Sequence, residues 1–185
     1  MFEEKPLYIP FQTFFISREV SKCPYISDIN KFCKKINGLG TKNITDFTIS
    51  FSYGKRMLIN ASKVNLTNIS TQDIIEIVDY DPVKNNILAM GKQNPAIDTP
   101  VHWIIHHARD DVNAVVQLKG EDIVKKFSNK IPMTRIEYPS GTVELAKEIL
   151  KTLKVSKKIV IKNSGCFFVG INLNEVENLI FNGVE

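Results

Sequence analysis

The residues best suited to chemistry lie together on one short stretch of the sequence. Asp98, His102 and His106 are spaced four residues apart, which places their side chains on one face of an α-helix. Two histidines with this spacing can chelate a metal ion. The simpler interpretation is that the histidines pack in the core or at an interface, and that Asp98 caps the helix that Pro100 begins.

Covalent catalysis has little support in the residue types and their spacing. Cys166 follows Ser164 and Gly165 at the start of an apolar run, where a buried strand cysteine is more typical than a nucleophile. All three histidines fall within one predicted helix, so the sequence does not indicate a serine–histidine–aspartate triad.

Composition describes an ordinary globular chain. Its 185 residues suffice for one domain with a full core, and 43% hydrophobic and 24% charged residues argue against disorder. The net charge is only +4 and the lysines are dispersed, so neither nucleic-acid nor membrane partners are predicted. Three cysteines without CxxC spacing, and no signal peptide pattern, favour reduced thiols and a cytoplasmic location.

Hydrophobic periodicity predicts a single domain over residues 1–185. The predicted elements, in order, are an extended N-terminal arm (1–16), a helix (27–36), two hairpins (44–51 with 56–61, and 74–81 with 86–92), a helix (100–108), a strand (113–120), a short helix (121–127), a strand (133–138), an amphipathic helix (143–154), two strands (158–163 and 166–172) and a last helix that begins at Asn172 or Asn174. This order indicates an α/β fold, a three-layer α/β/α sandwich around a mixed, largely antiparallel sheet.

Four segments resemble the class II aldolase/adducin family in both order and spacing. They are GLGTKNIT (38–45) with RMLINASKV (56–64), DTPVHWIIHHARDDVNAVVQLKG (98–120), IPMTRIEYPSGTVELAKEI (131–149) and IKNSGCFFVGINLNEVENLI (161–180). The resemblance covers about residues 27–183 and implies a fuculose-phosphate aldolase-like fold with a nine-stranded sheet. It also implies a homotetramer whose active site lies at a subunit interface. In the family's aldolases, three histidines hold zinc and a glutamate acts as acid and base.

This sequence departs from the family at every zinc ligand. The family's His-x-His is here Gln117-Leu118-Lys119, and its Asn-His-Gly is here Asn163-Ser164-Gly165. An ammonium at the position of Lys119 repels a dication, and the oxygens of Gln117 and Ser164 are weak ligands for zinc. The sequence therefore predicts a degenerate member of the family without a metal cofactor.

The remaining site residues are altered as well. The family's acid/base glutamate corresponds to Asp98, whose side chain is one methylene shorter. Lys42 and Lys63 stand where the family has glycines in its phosphate-binding loops, while Asn43 and Ser62 remain. These loop residues are candidates for binding a substrate or another anion. The other interpretation is that Asn43 only supports its turn.

Two functions follow from this pattern. The first is a non-catalytic relative that has lost zinc-dependent aldolase activity and acts as a scaffold or binds a small anionic metabolite, as the adducin branch of the family suggests. The second is a divergent lyase or isomerase on a sugar-phosphate-like substrate, with Lys119 as base or Schiff-base nucleophile and Asp98 beside it. A relocated metal site at His102 and His106 is a third interpretation. Because all parts of the zinc mechanism have changed together, the first is favoured.

Overall fold

The computed structural model describes residues 11–38, 46–65 and 68–182. Within them, eight strands form one sheet in the order β1-β5-β4-β3-β2-β6-β8-β7. The strands are β1 (Gln12–Ser17), β2 (Asp46–Tyr53), β3 (Arg56–Asn60), β4 (Ile74–Asp81), β5 (Asn86–Met90), β6 (Ala114–Lys119), β7 (Lys158–Ile161) and β8 (Gly165–Gly170). Only β1 and β5 pair in parallel, and the other neighbours are antiparallel.

Helices cover both faces of this sheet. They are α1 (Ile26–Asn37), α2 (Thr99–Ala108), α3 (Glu121–Phe127), α4 (Val143–Leu153) and α5 (Leu173–Phe181). The apolar stripes of α1, α3 and α5 share one buried cluster with the sheet, and those of α2 and α4 share another. The predicted α/β/α sandwich around a mixed sheet is therefore confirmed.

Alternation along β2 explains how one strand serves two different layers. Phe47, Ile49 and Phe51 are buried in the cluster that contains α1. Ser50 and Ser52 point to the opposite face, where their hydroxyls contact histidines of α2. Because successive side chains of a strand alternate between faces, the same strand builds an apolar core on one side and a polar layer on the other.

The prediction of a strand over 133–138 is wrong. Only Met133 forms an isolated parallel bridge, to Val160 of β7. Beyond this bridge, the hydroxyl of Thr134 accepts the N–H of Lys162 at 3.0 Å. A side-chain oxygen therefore replaces the backbone carbonyl that would accept this N–H in a continued parallel ladder. A side chain that competes for backbone groups in this way ends a ladder.

Most other predicted elements are confirmed, with boundaries shifted by a few residues. Residues 12–17 of the predicted arm form β1, whereas residues 1–10 lie outside the described part of the chain. The last helix begins after Asn172, whose side chain accepts the N–H of Glu175. Among the described residues, no helix is long and apolar enough to cross a membrane.

Candidate functional site

Asp98 occupies the N-cap position of α2, but its side chain does not cap the helix. The carboxylate turns inward, where Oδ1 accepts the backbone N–H of Gly141 at 2.6 Å. Oδ2 accepts the amide N–H of Gln117 at 2.8 Å and lies 2.5 Å from Nζ of Lys119. Asp98 is thus the N-cap residue of α2 by position, as one interpretation of the sequence predicted, but its carboxylate binds three donors from elsewhere in the fold and none from the first turn of the helix.

Strand β6 and the turn after β7 bring together Gln117, Lys119 and Ser164, the three positions that the family resemblance compares with zinc ligands. Gln117 and Lys119 are two residues apart on β6, so both face the same side of the sheet. Lys119 pairs in register with Gly165, the first residue of β8. The carbonyl oxygen of Ser164 accepts the N–H of Gly120 at 3.1 Å, which holds the turn against the end of β6.

The turn that begins α4 completes this cluster. Nζ of Lys119 donates to the hydroxyl of Ser140 at 3.3 Å. Gly141 has a φ of 75°, a left-handed conformation that favours glycine, and its N–H points to Asp98. Thr142 then caps α4 by accepting the N–H of Leu145. The segment PSGT thus both starts a helix and binds the acid–lysine pair.

The ammonium of Lys119 supplies positive charge directly beside the buried carboxylate of Asp98. Lys119 is only 13% exposed and Asp98 is fully buried. Water screens an ion pair weakly in such surroundings, and a buried carboxylate needs this kind of compensation. Both oxygens of Asp98 are occupied by the chain's own donors.

A chain of polar groups continues from Gln117 beneath α2. His102 Nδ1 lies 2.7 Å from the hydroxyl of Ser50, and the same hydroxyl lies 2.8 Å from Nε2 of His106. His106 Nδ1 lies 3.0 Å from the hydroxyl of Ser52. Within the described residues, His102 Nε2 and the side-chain oxygen of Gln117 make no hydrogen bond of good geometry. The face of α2 that the spacing predicted is real, and its two histidines contact the hydroxyls of Ser50 and Ser52.

Both histidines are kept neutral by their surroundings. Burial lowers the pKa of His102 to about 3, against the smaller opposing effect of Asp98. Burial likewise lowers the pKa of His106 to about 4, although its contact with the Val112 carbonyl opposes that change. His102 also packs its ring against Phe167, with 5.4 Å between ring centroids. Both imidazoles are therefore uncharged near neutral pH.

The other chemically suggestive residues have structural positions. Cys166 is buried in β8, and burial raises the pKa of its thiol to about 12, which disfavours the nucleophilic thiolate. Trp103 is buried and stacks on His107 at 4.0 Å. Within residues 11–38, 46–65 and 68–182, no group of three or more His, Cys, Asp or Glu side chains is arranged to hold a metal ion.

The candidate anion-binding residues are only partly described. Lys42 and Asn43 lie outside the described residues, so their role stays a prediction. Ser62 and Lys63 follow β3 and line a cavity of about 540 Å³, together with residues of β1 and of the loop before α2. Phe11, Gln12, Thr13, Gln93, Asn94, Pro95 and Ile97 complete its lining. Among the residues that the structure describes, this lining combines one lysine, Lys63, with several neutral hydrogen-bonding groups.

The sequence analysis missed four residues of these networks: Ser50, Ser52, Ser140 and Gly141. A signal for the first two was present, because Thr48, Ser50 and Ser52 alternate with aromatic and aliphatic residues in β2. Small hydroxyl residues on one face of a strand predicted to be buried indicate polar partners on that face. No comparable signal marked Ser140 or Gly141, since their partners are distant in sequence.

The chain belongs to the class II aldolase and adducin N-terminal domain family, whose profile matches residues 27–182. It is similar to L-fuculose 1-phosphate aldolase (18% identity, TM-score 0.71, covering 87% of this chain and 82% of that one). It is also similar to L-fuculose-1-phosphate aldolase from Thermus thermophilus (16%, 0.63, 86% of each chain). A third structure is the N-terminal class II aldolase domain of a conserved protein from Thermoplasma acidophilum (14%, 0.63, 90% and 93%). No protein of curated function matches the sequence significantly. At these identities the similarity shows a shared fold.

Proposed function

We propose that this chain is a binding member of the family that has lost zinc-dependent aldolase activity. The observation that carries the proposal is the ion pair between Lys119 and Asp98, with 2.5 Å between Nζ and Oδ2. The ammonium satisfies the buried acid from within the chain, and it repels a dication at the same place. Gln117, the other β6 residue at a former ligand position, is also bound to Asp98.

The same geometry argues against Lys119 and Asp98 as a catalytic pair. A Schiff-base lysine attacks with a free lone pair, whereas this amine is bound by Asp98 and Ser140. A substrate that reached Asp98 would have to displace the N–H of Gly141 or the side chain of Gln117. The pair therefore supports a structural role better than it supports lyase or isomerase chemistry.

Zinc analysis tests the loss of the metal site. Wild-type protein dialysed against zinc-free buffer should contain far less than one zinc per chain by elemental analysis. The triple variant Gln117→His, Lys119→His and Ser164→His should bind zinc, because three imidazoles can fill a tetrahedral site that keeps one open position. Stoichiometric zinc that survives dialysis in the wild type would overturn the proposal. Cleavage of L-fuculose 1-phosphate by the wild type would overturn it too.

We further propose that the ligand is a small anion bound in the cavity beside Ser62 and Lys63. Lys63 is exposed and contributes its charge to a cavity in which the other polar side chains of the described lining are neutral. A charge-assisted hydrogen bond to phosphate or carboxylate contributes about 1.5–3 kcal/mol. The scaffold then retains a place for an anion after the loss of the metal.

Calorimetric titration with inorganic phosphate and with L-fuculose 1-phosphate tests the anion site. The Lys63→Gln variant should bind at least about tenfold more weakly than the wild type, which is the effect of losing one charge-assisted contact. The matched control is Lys55→Gln, which removes an exposed lysine in the turn between β2 and β3. Equal affinity of the two variants would contradict the site. The zinc measurement is independent of this result.

A further inference from the structure

Five buried or half-buried polar side chains follow one another along the α2 face of the sheet, and hydrogen-bond distances join four of them, from His102 to Ser52. The path runs from Gln117 to His102, then through Ser50 and His106 to Ser52. Because β2 is antiparallel to β6, Ser52 lies at the opposite end of the sheet from Lys119, beyond the pairing of Phe51 with Ala114. The ion pair at one end of the molecule is thus linked to groups at the other.

Asp98 determines which way the amide of Gln117 faces. A carboxylate only accepts hydrogen bonds, so the nitrogen of Gln117 must face Oδ2, where it lies at 2.8 Å. The amide oxygen of Gln117 is then turned away from Asp98 and needs a donor. The side chain of Gln117 favours protonation of His102, and Nε2 of His102 is the other buried polar atom without a well-formed bond. A proton on that nitrogen satisfies both atoms.

Placing this proton fixes the direction of every following hydrogen bond. A neutral imidazole with its proton on Nε2 can only accept at Nδ1, so the hydroxyl of Ser50 donates to His102. The oxygen of Ser50 then accepts from Nε2 of His106. With its proton on Nε2, His106 accepts at Nδ1 from the hydroxyl of Ser52. All donors point toward Gln117.

If all the hydrogen bonds of the path were reversed, only the groups around His106 and Ser52 would gain a contact. Nδ1 of His106 also lies 3.3 Å from the carbonyl oxygen of Val112, which favours a proton on Nδ1. That arrangement would leave two acceptors, on His102 and Gln117, without a donor in a fully buried place, at about 1–3 kcal/mol each. At the Ser52 end, the carbonyl of Val112 is the one acceptor that would give up a donor, and its contacts with His106 Nδ1 (3.3 Å) and with the Ser52 hydroxyl (3.4 Å) are both longer than the 3.0 Å contact between His106 and Ser52. Leaving acceptors without donors therefore costs more at the buried Gln117 end than at the half-buried Ser52 end.

From this balance we infer that His102, Ser50 and His106 are positioning residues that hold the amide nitrogen of Gln117 toward Asp98, with both imidazoles protonated on Nε2. The inference goes beyond the proposed function, because it concerns how the acid–lysine pair is oriented and not what the protein binds. It assigns a role to the polar layer of α2 and β2 that a merely space-filling core would not need.

Nitrogen-resolved NMR of the wild-type histidine rings at neutral pH tests the inference directly. His102 and His106 should both give a protonated Nε2 and an unprotonated Nδ1. A proton on Nδ1 of either ring in the wild type would overturn the inference. This measurement uses the intact chain and does not depend on any ligand or variant.

A serine variant tests whether the two rings are linked. In Ser50→Ala the ring of His106 loses its partner at Nε2 and should move its proton to Nδ1, toward Val112, while His102 keeps Nε2–H. Ser50→Thr retains the hydroxyl and should restore the wild-type pattern. Thr48→Val changes the same face of β2 but no hydrogen bond of the path, and should leave both rings unchanged. If His106 keeps Nε2–H in Ser50→Ala, the linkage is refuted, and if that variant does not fold, the wild-type spectrum still decides.

Discussion

At the scale of single residues, Lys119 is the change with the largest physical consequence. It provides a positive charge that the chain itself carries, 2.5 Å from a carboxylate without exposed surface. Removing one member of a buried pair leaves the other charge uncompensated, and this usually costs about 3–5 kcal/mol. The pair thus governs stability, whatever the protein binds.

Replacing Lys119 with methionine should lower the free energy of unfolding by about 3–5 kcal/mol, because Asp98 then remains buried without its cation. Urea denaturation measures this loss. The double variant Asp98→Asn with Lys119→Met should recover a large part of it, since the carboxylate is gone while an amide oxygen can still accept from Gly141. A loss below about 1 kcal/mol in the single variant would show that the pair is not a buried interaction.

The two buried histidines predict a loss of stability in acid. Their folded pKa values of about 3 and 4 lie below the unfolded value near 6.5, so the unfolded chain takes up protons first. Their contribution is complete above about pH 6.5 and is lost as the pH falls toward 4. Between pH 7 and 5, the free energy of unfolding should fall by roughly 1–2 kcal/mol per histidine.

Urea denaturation of a His106→Gln variant at pH 7 and at pH 5 isolates this effect from the carboxyl groups. The variant should lose roughly 1–2 kcal/mol less than the wild type over that range. His107→Gln is the matched control, because His107 is exposed on the same helix, and it should behave as the wild type. The same loss in all three proteins would exclude His106 as a source of the acid sensitivity.

At the scale of elements, the close approach of β8 to β6 positions Lys119. A Cβ added to Gly165 would lie 2.1 Å from the carbonyl oxygen of Leu118 and 2.8 Å from Cα of Lys119. Both neighbours are backbone atoms, so a side chain at this position must push the strands apart. Position 165, the first residue of β8, therefore requires glycine because no side chain fits between the two strands.

Gly165→Ala should therefore destabilise the fold by about 3 kcal/mol or more, at the upper end of overpacking effects. The thermal unfolding midpoint should fall accordingly. Gly54→Asn is a suitable control, because Gly54 has a φ of 62° and open space around it, a conformation that asparagine tolerates. A Gly165→Ala protein as stable as this control would mean that β6 and β8 can separate without cost.

Local pattern predicts these elements well, and distant contacts explain the failures. The stripe of α4 and the alternation of β2 appear in consecutive residues, so their types follow from spacing alone. The strand predicted over 133–138 needed a pairing strand far along the chain. The N–H of Lys162, which would have continued that pairing, binds the side-chain hydroxyl of Thr134 instead. A contact between residues so far apart in the chain cannot be predicted from local sequence patterns.

The candidate site shows the same division. Family resemblance predicted that positions 117, 119 and 164 would meet, and the register of β6 with β8 brings them together. One of the two functions weighed from the sequence already placed Asp98 beside Lys119, but the sequence did not predict that Gln117 and Gly141 would also donate to Asp98. The partners of a buried acid are set by tertiary packing, which spacing does not encode.

At the scale of the whole molecule, the family resemblance predicts a homotetramer. Phe14 of β1 pairs in register with Leu88 of β5, and both side chains are substantially exposed, as is Ile16. Exposed apolar groups on neighbouring strands are typical of contact surfaces. We therefore propose that copies of this chain associate, and that the edge formed by β1 contributes to the contact.

Light scattering coupled to size-exclusion chromatography measures the assembly directly. The wild type should have about four times the mass of one chain. Phe14→Ser should weaken the assembly if the edge of β1 takes part, whereas Val83→Ser, which alters an isolated exposed valine, should not. A monomeric wild type would contradict the tetramer.

The tethered ammonium of Lys119 also makes the charge at this site independent of metal supply. A metal ion can be removed by a chelator, displaced by a competing ion, or lacking when the cell is short of it. A lysine side chain is made with the polypeptide, so every newly synthesised copy carries its charge from the start. The structure therefore gives the buried carboxylate of Asp98 its compensating charge from within the polypeptide itself.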